Sequence, residues 1–266
     1  MLVNTIILFL RDLLPIFILL GIIAVVFKHL TFSLTFVVIT LCCASAGVIG
    51  YFHLLPALSD AYMGSGIELS QVILILISMV SLLTAYVLSR IESHSRIQKV
   101  FLLFAITAFV IVRASAFIIF LDGYLMKQEF TSNIIVGIAL GTGICLSLVA
   151  LLYFLLLWLQ ASKLAFTVTL LFALFIAGQV AHSSIILHQI NLIDSSIRLW
   201  DSSPVIRDAS EYGHFFKALL GYEARPTLVF ALSYLLTVLL ILILHWRCRR
   251  PAPSIPMATG GTKNAG

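Results

Sequence analysis

Charged residues are scarce in this chain: they make up 10% of its 266 residues, whereas 61% of the residues are hydrophobic. Soluble domains contain about 25% charged residues, so this composition excludes a water-soluble globular protein. The mean hydropathy is +1.14. Several separate apolar runs reach the roughly 20 residues that a helix needs to cross the hydrocarbon layer. We therefore predict an integral membrane protein that crosses the bilayer several times.

The sequence also lacks the patterns of other protein classes. Its four cysteines show no C-x-x-C spacing, so neither a disulfide framework nor a zinc site is predicted. The net charge of +5 is spread over loops and a tail without a basic-aromatic stripe, so no nucleic-acid partner is expected. No glycine-rich phosphate loop or nucleophile elbow occurs, so no enzyme activity is predicted. Arg11 and Asp12 interrupt the first apolar run, which is predicted to remain as a span rather than act as a signal peptide.

The apolar runs predict an all-α membrane protein with seven transmembrane helices. The predicted spans cover residues 2–27, 31–52, 68–90, 99–122, 133–159, 163–190 and 226–246. Basic residues gather on one side of these spans, and the positive-inside rule makes that side cytoplasmic. They are Lys28, Arg90, Arg96, Lys99, Lys163, Arg247, Arg249, Arg250 and Lys263. The protein is thus expected in the cell (inner) membrane, surrounded by the lipid bilayer, with its N-terminus outside and its C-terminus in the cytoplasm.

Spans one to three and spans four to six look like two copies of one unit. Each unit begins with a helix that carries an intramembrane arginine, Arg11 in the first span and Arg113 in the fourth, and continues with a helix of small residues. The small residues are Ala44, Ser45, Ala46, Gly47 and Gly50 in the second span and Gly137, Gly141 and Gly143 in the fifth. Because each unit has an odd number of spans, the second copy must be inverted. Inverted repeats with a site at their interface are typical of transporters.

The predicted organisation is therefore a seven-span permease domain followed by a short tail. The domain covers residues 1–246, with repeat one at about 1–97, repeat two at about 98–190, an outer loop at 191–225 and a last span at 226–246. Residues 247–266 are basic and rich in proline and glycine, and they are predicted to form a disordered cytoplasmic tail.

Ionisable residues inside the spans mark the candidate site, because each buried charge costs about 2.5–3.5 kcal/mol on insertion scales. Arg11 and Arg113 both lie roughly 13 Å from the outer ends of their spans, at 1.5 Å per residue. They can therefore share one layer of the membrane. Asp12 points about 100° away from Arg11 on the helix, and we expect it to pair with Arg113. The alternative is that this pair only holds the helices together.

The sixth span adds Gln179 and His182, which share a helix face at i, i+3. The predicted transport path consists of Arg11, Asp12, Arg113, Gln179 and His182. Asp12 and His182 are its candidate metal ligands. A packing role is the alternative for His182, since many membrane histidines are hydrogen-bonded packing residues.

The outer loop is predicted to contain a short helix. Asp208 and Glu211 resemble a capping box that opens it, and Gly221 is expected to end it. Its apolar side predicts that it lies on the outer membrane surface or caps the bundle. Pro226 is predicted to start the last span, where its missing N–H does no harm.

Four short motifs from the sixth span onward carry a family resemblance. They read Ala177-Gly178-Gln179, Leu187-His188-Gln189-Ile190-Asn191-Leu192, Trp200-Asp201-Ser202-Ser203 and Gly221-Tyr222-Glu223-Ala224-Arg225-Pro226. These motifs, together with the seven-span layout, resemble the oxidase-dependent iron permease family. The resemblance implies iron uptake across the cytoplasmic membrane, with iron as the substrate, no cofactor, and an extracytoplasmic oxidase or iron-carrier protein as a partner.

The family's working motif is R-E-x-x-E, once in the first span and once in the fourth, with glutamates that handle the iron. The corresponding stretches here read Arg11-Asp12-Leu13-Leu14-Pro15 and Arg113-Ala114-Ser115-Ala116-Phe117, so one of four acids remains. The resemblance thus implies Asp12 as the principal iron ligand. Two other functions stay open: a divergent, non-conducting paralogue that serves as a membrane scaffold or partner subunit, and a transporter of another small solute such as an anion.

Overall fold

The computed structural model describes residues 2–91, 95–126, 132–162, 164–194, 197–208 and 210–248. Within these ranges the chain forms eight α-helices, and a 3-10 turn at Ala61–Gly64 joins the second helix to the third. The helices are α1 (Leu2–Val26), α2 (Leu34–Asp60), α3 (Gly66–Arg90), α4 (Ser95–Met126), α5 (Ser132–Ala161), α6 (Ala165–Gln189), α7 (Glu211–Leu220) and α8 (Leu228–Arg247). Seven of them, all but α7, are long and apolar enough to cross a membrane. The predicted all-α, seven-span membrane fold is confirmed; most of the predicted tail lies outside the described residues.

Several helix boundaries differ from the prediction by a few residues, and two of the differences have a local physical reason. α2 continues through Pro56 to Asp60, well past residue 52. A proline can stay inside a membrane helix because neighbouring groups satisfy the carbonyl that it leaves free. α8 starts at Leu228 rather than at Pro226, because Thr227 is its N-cap and accepts a hydrogen bond from the Phe230 N–H at 3.3 Å. A threonine hydroxyl satisfies an open N–H group at the start of a helix, which the proline ring cannot do.

α1 and α6 lie at the centre of the bundle. In the most apolar part of each, 56% of the residues are buried, against 22% for α2 and α5 and 17% for α8. α1 packs on α4 and α5, while α6 packs on α3 and α8, and α4 lies between α2 and α3. The outer helices α2, α5 and α8 expose large apolar side chains, as expected for surfaces that face lipid.

Two glycine contacts relate the two predicted repeats. On α5, a Cβ added to Gly141 would lie 2.8 Å from the ring of Phe9 in α1. On α2, a Cβ added to Gly47 would lie 2.5 Å from Cδ1 of Ile111 in α4. Phe9 and Ile111 each stand two residues before the intramembrane arginine of their helix. The second helix of each repeat thus contacts the first helix of the other repeat at the equivalent position. This correspondence supports the inverted repeat, which itself stays a prediction.

The predicted loop helix exists as α7, and it packs on α1 and α6. It ends at Gly221, whose φ of +69° lies in the left-handed region that favours glycine. Its N-cap is Ser210, which accepts a hydrogen bond from the Gly213 N–H at 3.0 Å. The predicted cap, Asp208, instead accepts one from the Ala224 N–H at 2.9 Å. Ser210 directly precedes the helix, so its hydroxyl can accept from the unpaired N–H of Gly213 in the first turn. Asp208 instead stabilises the loop by its hydrogen bond to Ala224.

We predict that Gly178→Ala destabilises the protein by about 1–3 kcal/mol, as overpacked sites do. α7 meets α6 through a backbone contact, and a Cβ added to Gly178 would lie 2.5 Å from the Cα of Gly221. The midpoint of thermal unfolding of the purified protein measures the effect. Gly143→Ala is the control, because a Cβ there meets nothing within 4 Å and alanine favours a helix. Equal midpoints for the two variants would contradict the close contact.

Candidate functional site

A half-open cavity of about 470 Å³ lies beneath α7, at the end of the bundle where α1 begins. We call it the α7 cavity. Its wall contains all the residues of the predicted path: Arg11, Asp12, Arg113, Gln179 and His182. These side chains come from α1, α4 and α6. The fold therefore brings together three distant segments of the chain around one volume.

Arg11 and Asp12 pair with each other. Nε of Arg11 donates to Oδ1 of Asp12 at 2.9 Å, and Nη2 donates to Oδ2 at 3.0 Å. The side chain of Asp12 is 7% exposed, whereas that of Arg11 is 54% exposed. The predicted pairing of Asp12 with Arg113 is therefore wrong. The Cβ atoms of neighbouring helix residues point about 100° apart, but the arginine side chain is long enough to reach back to the next residue. Its guanidinium can therefore form two parallel hydrogen bonds with the Asp12 carboxylate.

Pro15 lines the α7 cavity one turn after Arg11. Proline has no N–H to donate to the carbonyl four residues earlier, so the Arg11 carbonyl loses its usual helical partner. This places a break in the helix hydrogen bonding beside the charged pair.

Arg113 has a neutral partner. Its Nη2 donates to Oε1 of the buried Gln179, and its guanidinium lies 5.5 Å from the ring centroid of Phe109. Among the described residues, no carboxylate lies within 4.0 Å of this guanidinium. Its Nε is buried and makes no hydrogen bond within the described part of the chain. Arg113 is thus a cation whose charge is not neutralised at contact distance.

His182 faces the α7 cavity close to Gln179 on α6. Its Nδ1 is buried and has no hydrogen-bond partner among the residues that the structure describes. The nearby hydroxyls of Ser183 and Ser184 bond to carbonyls of their own helix. Gln179 and His182 are therefore the polar side chains that α6 offers to the cavity.

α7 and the outer loop supply cavity residues that the sequence analysis did not assign to the site. On α7, the lining residues are spaced by three or four, as one face of a helix requires. They are His214, Lys217 and Ala218, followed by the cap Gly221. The loop adds Asp208 and Glu223, and Lys217 pairs with Glu223 at 2.7 Å. The same spacing is visible in the sequence. The sequence analysis considered only the face of the helix that carries the bulky apolar residues.

The formal charges around the α7 cavity balance, but they are unevenly paired. Its cations are Arg11, Arg113 and Lys217, and its carboxylates are Asp12, Asp208 and Glu223. Two of the carboxylates are bound by the arginine of α1 and the lysine of α7, and the third accepts from a backbone amide. The wall formed by α4 and α6 therefore holds a cation without a carboxylate in contact.

The predicted metal ligands, Asp12 and His182, line the same cavity. Across the described ranges, no three His, Cys, Asp or Glu side chains are grouped so that they could hold a metal ion. Because Arg11 donates to both oxygens of Asp12, two acceptor sites of this carboxylate are taken and the positive charge of the guanidinium opposes a metal ion there. The role of the two residues as metal ligands stays a prediction.

Comparisons with protein-family models, curated proteins and solved structures give no match to this chain. The link to the iron permease family therefore remains a resemblance carried by the motifs.

We predict that His214 makes the protein less stable at mildly acidic pH. Burial, together with the nearby charges of Arg11 and Lys217, lowers the pKa of His214 from its usual 6.5, despite Asp12 and Asp208. A histidine with a lower pKa in the folded state binds protons more readily when unfolded, so stability falls as the pH drops below about 6.5. The midpoint of thermal unfolding, compared at about pH 7.5 and about pH 5.5, should fall less in His214→Gln than in the wild type.

His53→Gln is the matched control, because His53 is exposed on α2. It should keep the pH dependence of the wild type. If His214→Gln and His53→Gln behave alike, the contribution of His214 is refuted.

Proposed function

We propose that this protein is a transporter of the iron permease type, which takes up iron across the cytoplasmic membrane through the α7 cavity. The observation that carries the proposal is the convergence of side chains from α1, α4 and α6 on one half-open cavity, with Asp12 buried in its wall. Ionisable residues at such a depth usually mark an ion or substrate pathway.

A second cavity, of about 400 Å³, supports transport over a purely structural role. It lies at the opposite end of the bundle, where α3 and α8 end, and its wall includes Arg90, Thr169 and His245. On α6, Thr169 lines this cavity and Gly178 lines the α7 cavity. At 1.5 Å per residue, about 14 Å of helix separates them. Two polar cavities separated by a short barrier are what a transporter needs on either side of its gate.

Aromatic side chains fill the barrier between the cavities. Phe172 and Phe175 of α6 are fully buried. The ring of Phe172 lies 4.9 Å from that of Tyr86, and the ring of Phe175 lies 6.1 Å from that of Phe109. We call these four residues the aromatic septum. A hydrated ion cannot cross such packing, so transport requires the septum to open.

In the proposed cycle, iron reaches the α7 cavity from the side that the topology prediction makes the outside, delivered by an extracytoplasmic oxidase or iron-carrier protein. Carboxylates line this side of the path, and oxygen and imidazole ligands both suit iron. The ion displaces Arg11 from Asp12 and gains His182 as a nitrogen ligand. Arg113 and Gln179 form the opposite wall and set its shape.

We expect Asp12→Ala to lower iron uptake by at least about tenfold, since the loss of a principal ligand costs more than 1.4 kcal/mol. Asp12→Asn should act similarly, because it keeps the size of the side chain and loses its charge. Uptake of radioactive iron by cells that express each variant measures the effect, with Asp60→Asn, an exposed acid at the end of α2, as the control. Uptake by Asp12→Ala equal to that of the wild type would remove Asp12 from the mechanism.

A non-conducting partner subunit is the second candidate function. The engagement of both Asp12 oxygens by Arg11 favours it, because the carboxylate is then already neutralised. In this case the wild-type chain alone supports no iron uptake, and uptake requires a co-expressed permease with intact R-E-x-x-E motifs. The uptake measurement on the chain alone separates the two candidates.

The two-cavity path predicts a pattern of cysteine accessibility. With the four native cysteines replaced by alanine, His182→Cys should react with a membrane-impermeant thiol reagent only from the outside. Thr169→Cys should react only from the cytoplasm, because it lines the opposite cavity, and Phe172→Cys should react from neither side in the absence of substrate. If positions 169 and 182 were labelled from the same side of the membrane, the aromatic septum could not separate the two cavities.

A further inference from the structure

The α7 cavity contains a positive charge, on Arg113, that has no carboxylate in contact among the described residues. A guanidinium inside a membrane span is costly unless an anionic group or several hydrogen bonds compensate it. Arg113 has one amide oxygen, from Gln179, and the face of the Phe109 ring. The carboxylates in the cavity wall are occupied by Arg11, by Lys217 and by a backbone amide. Among the described residues Arg113 therefore has no carboxylate in contact, and a bound anion would supply one.

The geometry around Arg113 selects the kind of molecule. Nη2 donates one of its N–H groups to Gln179, while Nε is buried and has no acceptor among the described residues. The guanidinium carbon lies 5.5 Å from the centroid of the Phe109 ring, which supports the cation from one side. A guanidinium carries five N–H groups in a planar fork, and pairs of them match two oxygens of one anion. His182 adds a second buried nitrogen without a partner in the described chain, on the same cavity wall.

We propose that Arg113, oriented by Gln179 and assisted by His182, binds a small oxyanion in the α7 cavity, either phosphate or a small dicarboxylate. The cavity volume of about 470 Å³ leaves room for such an anion together with water. A halide is a single acceptor atom, whereas an oxyanion places two oxygens on the guanidinium and has further oxygens to offer to His182 on the same cavity wall. The binding chemistry does not depend on which solute the protein transports.

The anion also explains how a metal ion could be held in this cavity. No three ligating side chains converge among the described residues. An oxyanion on Arg113 brings oxygen ligands of its own and makes the α4 and α6 wall less positive. Where iron is the transported ion, as in the function proposed above, the cargo is then a metal ion that binds together with its anion.

The test uses the purified full-length protein in detergent, without iron and at constant ionic strength. Inorganic phosphate and oxalate are titrated separately by calorimetry, with chloride as the baseline anion. We expect both oxyanions to bind the wild type and Arg113→Gln to weaken the binding by at least about tenfold. Arg113→Lys should give an intermediate affinity, because lysine keeps the charge but not the two-pronged geometry. Arg247→Gln, an exposed arginine at the opposite end of the bundle, should bind like the wild type.

The two titrations identify the anion class: tighter binding of phosphate assigns the site to phosphate, and tighter binding of oxalate assigns it to carboxylates. The proposal is overturned if neither oxyanion binds the wild type, or if Arg113→Gln binds equally well. If Arg113→Gln cannot be purified, Arg113→Lys and His182→Phe replace it, and unchanged affinity in both also overturns the proposal. Because the measurement contains no iron, its failure leaves the iron proposal standing, and a failure of iron uptake leaves the oxyanion site standing.

Discussion

A charge inside the membrane needs a partner, and this constraint determines how α1, α4, α6 and α7 are arranged. On α1, Asp12 is buried because Arg11 folds back over it and covers both of its oxygens. On α4, Arg113 lies against an aromatic ring and one amide instead. The first arginine is neutralised within its own helix and the second is not. The two intramembrane arginines therefore play different roles: Arg11 forms a salt bridge with Asp12, whereas Arg113 makes the α4 and α6 side of the cavity positive.

The charged residues of α1 and α4 line one cavity because glycines let the helices come close. Gly141 and Gly47 accept side chains from α1 and α4 two residues before each arginine, which fixes the rotation of both helices relative to their neighbours. Gly178 and Gly221 bring α7 against α6, backbone to backbone, so that the polar face of the short helix covers the cavity. Close packing leaves little freedom to shift these contacts, and a methyl group at any of the four glycines meets another atom at short range.

Much of this fold could be predicted from the sequence, because its main determinants are local. Hydropathy over about 20 residues is enough to find a span, and the cost of a buried charge marks the helices that face a cavity. The partner of Asp12 could not be found in this way. Helix geometry gives the direction of a Cβ atom, but the end of a long arginine side chain reaches much further. The cavity face of α7 was missed for a related reason: the interpretation followed the bulky apolar residues, whereas the cavity is lined by the smaller and polar ones, such as Lys217 and Ala218.

The two ends of the bundle are linked through aromatic contacts. Arg113 lies over Phe109, which contacts Phe175, and one turn away on α6 Phe172 contacts Tyr86. At the second cavity, the Tyr86 hydroxyl lies 2.7 Å from Nδ1 of His245 and accepts a hydrogen bond from Arg90 at 3.1 Å. A cation thus contacts the septum at each mouth. Rotation of α6 that parts the septum has to break ring contacts on both sides of it, so the septum cannot open without changing the surroundings of Arg113. In the proposed transporter, binding at Arg113 and opening toward the other side would therefore act on the same contacts, which is the coupling that alternating access requires.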